Sequence, residues 1–156
     1  MDQPVVVQPG NAGHIEQIVA YDTIRNAEAG LASDLLAAAE SGWLRVAIRD
    51  DKVLGHTIVR PRAFFGFDFI DLVYVAESAR RAGVGRLLVA TIRDQAPARV
   101  WTSTNLSNAP MHSLLRTDGW HTAGMLDGLD DGDPEVFYFS DSKPTNQDTN
   151  AVLESK

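Results

Sequence analysis

The chain has 156 residues, 44% hydrophobic and 22% charged, with a formal net charge of -7 and no cysteine. A length of this order buries roughly 70% of the surface its unfolded chain exposes, so one ordinary domain needs no disulfide, structural metal or obligate partner. Without cysteine there is no disulfide scaffold, no cysteine-bearing zinc site and no step that parks a group on an enzyme thiol. The 14 Lys and Arg against 21 Asp and Glu offer no general field for nucleic acid, and a cationic partner is more natural.

The opening segment MDQPVVVQPG is polar and lacks the basic-then-apolar order of an export signal. No apolar run approaches the roughly 18 residues of a membrane helix. These features and the absent cysteines point to the cytoplasm, with no membrane partner.

Pro4 to Gln8 reads as a first strand closed by Pro9 and Gly10. Ile15, Ile18, Val19 and Asp22 fall at helical spacing, as do Leu31, Leu35, Leu36 and Ala39, and Gly42 stops the second helix. Trp43 to Ile48 and Val53 to Val59 predict a hairpin turning at Asp50 and Asp51. Pro61 to Gly66 is expected to break it before Phe67 to Val75, the stretch richest in aromatic and branched side chains.

Val84, Leu87, Leu88 and Ile92 then mark an amphipathic helix opened by a glycine-rich turn and ended by Pro97. Arg99 to Ser103 is a short strand, Asn105 to Asn108 a polar loop, and Met111, Leu114 and Leu115 a helix terminated by Asp118 and Gly119. Trp120 to Leu126 and Glu135 to Phe139 form a last pair of strands around an acidic loop. The order β, α, α, β, β, β, α, β, α, β, β implies a mixed α/β sheet with helices on both faces. Residues 1–140 read as one domain, and the polar composition of 141–156 as a flexible C-terminal tail.

The sharpest local signal is Arg80-Arg81-Ala82-Gly83-Val84-Gly85-Arg86 between a strand and a helix. A helix start directs free N–H groups and a positive dipole end outward, and three arginines gather there in an otherwise acidic chain. A diphosphate suits such a turn, although a tight turn with solvated arginines has the same spelling. A Walker-type phosphate loop needs Lys and then Ser or Thr where Arg86 and Leu87 stand, and a dinucleotide fingerprint needs a small residue where Leu88 stands.

With Arg80, Gly83 and Gly85 after Val73-Tyr74-Val75, and Asn108 before Gly119-Trp120, the chain resembles the Gcn5-related N-acetyltransferase (GNAT) superfamily over residues 4–139. The resemblance implies an acyl-CoA N-acyltransferase fold and an enzyme that moves an acetyl group from acetyl-CoA to a primary amine of a small molecule or peptide. It also implies that the backbone around Val73, Tyr74 and Val75 pairs with the pantetheine arm. The N–H groups of Arg81, Ala82, Gly83, Val84, Gly85 and Arg86 would hold the diphosphate beside Arg80, and Asn108 would contact the cofactor near the thioester. Physically, an acyl-CoA offers an amide-bearing arm to a strand edge and a diphosphate to a helix start.

Transfer to an amine needs a neutral amine, a polarised carbonyl and a proton for the leaving thiolate. Without an enzyme thiol, direct attack in a ternary complex is expected. Strand parity puts Phe67, Phe69, Asp71, Val73 and Val75 on one face, so Asp71 is a candidate base with its pKa raised by apolar neighbours, or else the partner of an arginine. Asp68, Ile70, Leu72 and Tyr74 then share the other face.

Members of the family it resembles often place a tyrosine where this chain has Leu115, which leaves Tyr74, Ser107 or an exposed His112 as candidate acids, or an unassisted thiolate. The same departure keeps open an acyl-CoA-binding sensor without turnover. No metal is expected, because the four histidines share no ligand spacing. The loop from Asp127 to Glu135 carries five acids and no base, either as a solvated tip or as an attractor of a cationic acceptor. Exposed edges in the last hairpin leave room for a homodimer.

Overall fold

The computed structural model describes residues 2–27 and 29–143. Its sheet has seven strands in the order β1-β2-β3-β4-β5-β7-β6. The strands are β1 (Val6–Pro9), β2 (Leu44–Arg49), β3 (Lys52–Phe64), β4 (Phe67–Val75), β5 (Val100–Asn105), β6 (His121–Leu126) and β7 (Glu135–Phe139). Helices α1 (Ile15–Tyr21) and α2 (Leu31–Glu40) follow β1, α3 (Val84–Gln95) follows β4, and α4 (Ala109–Thr117) follows β5. The order of strands and helices is the one the periodicity predicts, and all neighbours pair antiparallel except β4 and β5.

Helices lie on both faces because alternate strand residues serve different cores. Leu44, Val46 and Val53 pack with Ile18, Leu31 and Leu35 of α1 and α2. Ala47 and Leu54 instead pack with Val84 and Leu88 of α3, and Val59, Ile70, Val100 and Tyr138 pack with Val89, Ile92 and Leu115 from α3 and α4. Among the described residues no helix is long and apolar enough to cross a membrane.

Two local expectations are corrected. Pro61 does not end β3, which runs on to Phe64; the ladder is irregular between Arg60 and Phe64, so no N–H is required of the proline. The left-handed residues Phe65 and Gly66 make the turn instead. The second correction concerns parity. Ile58 pairs with Leu72 and Val59 with Ile70, which leaves Asp71 as the extra residue of a bulge. The alternation therefore changes phase at Asp71: Ile70 faces α3 before the bulge and Val73 faces it after, whereas Tyr74 faces α1 and stacks on Tyr21.

Residues assigned to the tail by composition are in part joined to the body. Asp141 binds His121, the Arg99 guanidinium donates to Ser142 Oγ, and Lys143 Nζ donates to the Asp94 and Ala96 carbonyls at the end of α3. The remainder of that segment, 144–156, lies outside the described residues.

Candidate active site

β4 and β5 run side by side for only a short distance. Asp68, Phe69 and Ile70 pair with Val100, Trp101 and Thr102, and the pairing stops there although β4 continues to Val75 and β5 to Asn105. Thr102 Oγ1 donates to the Ile70 carbonyl at 2.9 Å and marks the closed end of the gap. Beyond it, the edge of β4 at Val73 and Val75 has β3 on one side and, among the described residues, no strand on the other. Such an edge offers backbone groups to an extended, amide-bearing ligand.

The start of α3 lies beside the open end of this gap. Gly83, with φ of 79°, and Arg81, with φ of 63°, are both left-handed and turn the chain sharply into the helix. A Cβ on Gly83 would meet nothing within 4 Å, so its outer side is open. No side chain caps α3, and Leu87 N is the first helical donor to reach back, to Gly83 O at 3.0 Å. The N–H groups of Val84, Gly85 and Arg86 precede the first intrahelical bond and have no partner inside the helix. Unsatisfied donors and the positive dipole end give this turn the chemistry that suits an anion.

Gly85 plays a different part from the one its spacing implied. A Cβ there would lie 3.0 Å from Leu114 Cδ1 and 3.5 Å from Val75 Cγ2, so this glycine lets α3, α4 and β4 close on one another rather than admitting a ligand. The arginines are also differently employed. Arg80 Nε donates to the Val75 carbonyl at 3.1 Å, and its guanidinium lies 5.5 Å from the centre of the Tyr74 ring. Arg86 leans towards Asp118 at 3.7 Å, where Arg93 is already bound at 2.5 Å. Arg81 and Ala82 are exposed at the turn.

Asp71 does not sit among apolar neighbours. Arg60 holds both of its oxygens, with Nε to Oδ2 at 2.5 Å and Nη2 to Oδ1 at 3.0 Å, and the carboxylate side chain is 26% exposed. The bulge causes this, because it turns Asp71 out of the apolar alternation to meet an arginine on β3. His112 is corrected in the opposite sense: it is buried, with Nδ1 2.6 Å from the Tyr138 hydroxyl and Nε2 3.0 Å from the Asn105 carbonyl. A carbonyl only accepts, so Nε2 carries the proton and Tyr138 donates to Nδ1. The ring ties α4 to β5 and β7, and a groove of about 680 Å³ between α4 and β6 passes beside it.

Asn108 caps α4, accepting from Met111 N at 3.3 Å and donating to Thr104 Oγ1 at 3.0 Å. Leu115, where a tyrosine was awaited, is fully buried against Val100, Trp120 and Tyr138. Ser107 is held by Asp133 through both its N–H and its hydroxyl, at 3.0 and 2.5 Å. Asp130 accepts from Asn105 at 2.7 Å, so two of the five loop acids latch the β6–β7 loop onto the β5–α4 connection.

A polar cluster on the α1 face went unread in the sequence. His56, fully buried on β3 opposite Tyr74, has Nδ1 2.7 Å from the Tyr21 hydroxyl and Nε2 3.0 Å from Arg25 Nη2. Arg25 is itself fixed by buried Asp22, through Nε at 2.8 Å and Nη2 at 2.6 Å. Burial, and then the Arg25 charge, lower the His56 pKa to about 4, so the ring is neutral. Burial and the Asp22 charge push the Tyr21 phenol well above its usual range, so it stays protonated. The only local signal was a histidine inside an apolar strand.

The family model for the GNAT family of acetyltransferases matches residues 9–120. No curated protein matches the sequence. Among solved structures, a GNAT-family acetyltransferase from Bacillus cereus is 22% identical with a TM-score of 0.83, covering 91% of this chain and 100% of its own. The ribosomal-protein-alanine N-acetyltransferase of Brucella melitensis is 24% identical with a TM-score of 0.68, covering 86% and 98%. The protein yncA of Salmonella typhimurium, solved with its cofactor acetyl-CoA, is 17% identical with a TM-score of 0.74, covering 92% and 97%. At these identities the likeness is one of fold.

Proposed function

Because the chain belongs to the GNAT family of acetyltransferases, we propose that it moves an acetyl group from acetyl-CoA to a primary amine by direct attack while both are bound. The observation that carries this reading is the gap between β4 and β5 opening beside the uncapped start of α3. An amide-bearing arm fits the free edge at Val73 and Val75, and a diphosphate fits the N–H groups from Arg81 to Arg86. Arg80 already occupies the Val75 carbonyl, so the Val75 N–H and the Val73 groups are left for the arm. The acetyl-CoA complex of the fold relative yncA supports the same choice of donor.

The amine attacks the thioester carbonyl, the N–C bond forms as the C–S bond breaks, the thiolate leaves and the nitrogen sheds its proton to solvent water. Asp71 is engaged by Arg60, His112 by Tyr138 and Asn105, and Ser107 by Asp133, so none is a free acid or base in this structure. The amine therefore enters neutral from solution, and the thiolate, a good leaving group, departs without help from these three side chains. Tyr74 is half-buried at the gap, its ring stacked on Tyr21 and 5.5 Å from the Arg80 guanidinium, and we assign it to the acceptor side.

One observation favours a second reading. Leu115 fills the core at the position where the family resemblance implies a tyrosine, which fits a protein that binds an acyl-CoA as a sensor without turning it over. Thiol release from acetyl-CoA across a panel of amines and peptides separates the two. Amine-dependent release supports the enzyme; tight acetyl-CoA binding with no release above the buffer rate supports the sensor.

A further inference from the structure

The Tyr21–His56 pair has no part in holding the donor, yet its geometry is built for a polar contact. A guanidinium only donates, so the 3.0 Å bond from Arg25 Nη2 makes His56 Nε2 an acceptor. In the neutral ring the proton then sits on Nδ1 and is donated to the Tyr21 oxygen 2.7 Å away. That oxygen already accepts, which leaves the Tyr21 O–H to donate, and it has no partner among the described residues. Asp22, fully buried, accepts three bonds from Arg25 and holds its guanidinium against His56.

The donor is also well placed. Tyr21 stacks on Tyr74 with centroids 5.9 Å apart and planes 13° from parallel. Tyr74 lies between Val73 and Val75 on the part of β4 that β5 leaves unpaired, and its ring is on the face opposite α3. A donor cofactor seated at the α3 turn enters from one face, so the Tyr21 face is where an acceptor approaches the acyl carbon.

We propose that Tyr21 is a specificity-determining residue, whose O–H donates to an oxygen carried beside the reacting amine, with His56 as its positioning residue. The acceptor class is then an amine bearing a neighbouring carbonyl, as in an amino-acid amide or a peptide N-terminus, rather than a plain alkylamine. This inference rests on the acetyltransferase reading above. A fixed donor left without its acceptor is the strongest simple way for a site to reject an analogue.

The test compares alaninamide with isopropylamine, in which a methyl group replaces the carboxamide, by thiol release from acetyl-CoA, each rate corrected for its free-amine fraction. The wild-type kcat/KM ratio should favour alaninamide by about tenfold or more, the scale of one well-placed neutral hydrogen bond. Tyr21→Phe should bring the ratio close to one, as should His56→Leu. His56→Asn, whose amide N–H replaces the Nδ1 donor, should restore most of it, which a role in folding alone would not do. Acetyl-CoA affinity and the melting temperature report whether each variant is folded. A wild-type ratio near one, or a ratio unmoved by Tyr21→Phe, overturns the inference and leaves the acetyltransferase reading standing. No thiol release with any amine overturns both.

Discussion

His56 Nδ1 lies 2.7 Å from the Tyr21 hydroxyl, joining the end of α1 to the middle of β3 across 35 residues of sequence. The histidine in this contact is buried and neutral. Its pKa falls from 6.5 to about 4, chiefly through burial and then through Arg25.

This shift makes stability depend on pH. Between about 4 and 6.5 the unfolded chain binds a proton at His56 that the folded chain refuses. Stability from this group is complete above 6.5 and is lost as pH falls towards 4, amounting to about 2 kcal/mol between pH 7 and pH 5. Urea unfolding of the wild type and of His56→Asn over that range should show a slope in the first that is flattened in the second. Equal slopes would refute the linkage.

Gly83 and Gly85 belong to one motif and should fail in different ways. Gly83 is open and left-handed, so Gly83→Asp places a carboxylate at the N–H groups proposed for the diphosphate and should weaken acetyl-CoA binding about tenfold or more. Gly85 is closed in by Leu114 and Val75, so Gly85→Val should cost about 1–3 kcal/mol of stability by overpacking. Calorimetric titration and thermal unfolding of both variants check the division.

Asp71 should be dispensable for the chemistry. An exposed pair with Arg60 is worth under about 1 kcal/mol, so Asp71→Asn should change kcat by less than about threefold. Loss of a general base would cost about a hundredfold or more and would remove a limb of the pH–rate profile. Steady-state rates from pH 6 to 9 decide between these outcomes.

Restoring a phenol at Leu115 should harm rather than help. The side chain is fully buried among Val100, Trp120 and Tyr138, so Leu115→Tyr forces extra atoms into a filled core and buries a hydroxyl, at a cost of about 1–3 kcal/mol. Thermal unfolding together with thiol release should show a less stable protein whose kcat does not rise.

The alternation of apolar residues carried the strand and helix order, because each element buries one face and the period of that face is written locally. The glycine turn that opens α3 was legible for the same reason: glycine spacing and a helix start are neighbours in sequence. What escaped depends on partners far along the chain. The bulge at Asp71 exists only in the register of β4 against β3, so counting alternate residues grouped Asp71 with Val73 and Val75, which face α3 after the change of phase. His112 reads as exposed until Tyr138, 26 residues away, closes over it. The Tyr21–His56–Arg25 cluster joins two segments with no shared pattern, and an isolated strand histidine says nothing of the hydroxyl that meets it.

The most direct test of acetyl transfer follows both products at once in a mixture of the protein, acetyl-CoA and an amine. Free thiol and acetylated amine should appear in equal amounts, with rates that saturate in both substrates and fall sharply in Gly83→Asp. Thiol appearing without acetylated amine, or no thiol beyond the buffer rate while acetyl-CoA remains bound, would contradict direct transfer in a ternary complex.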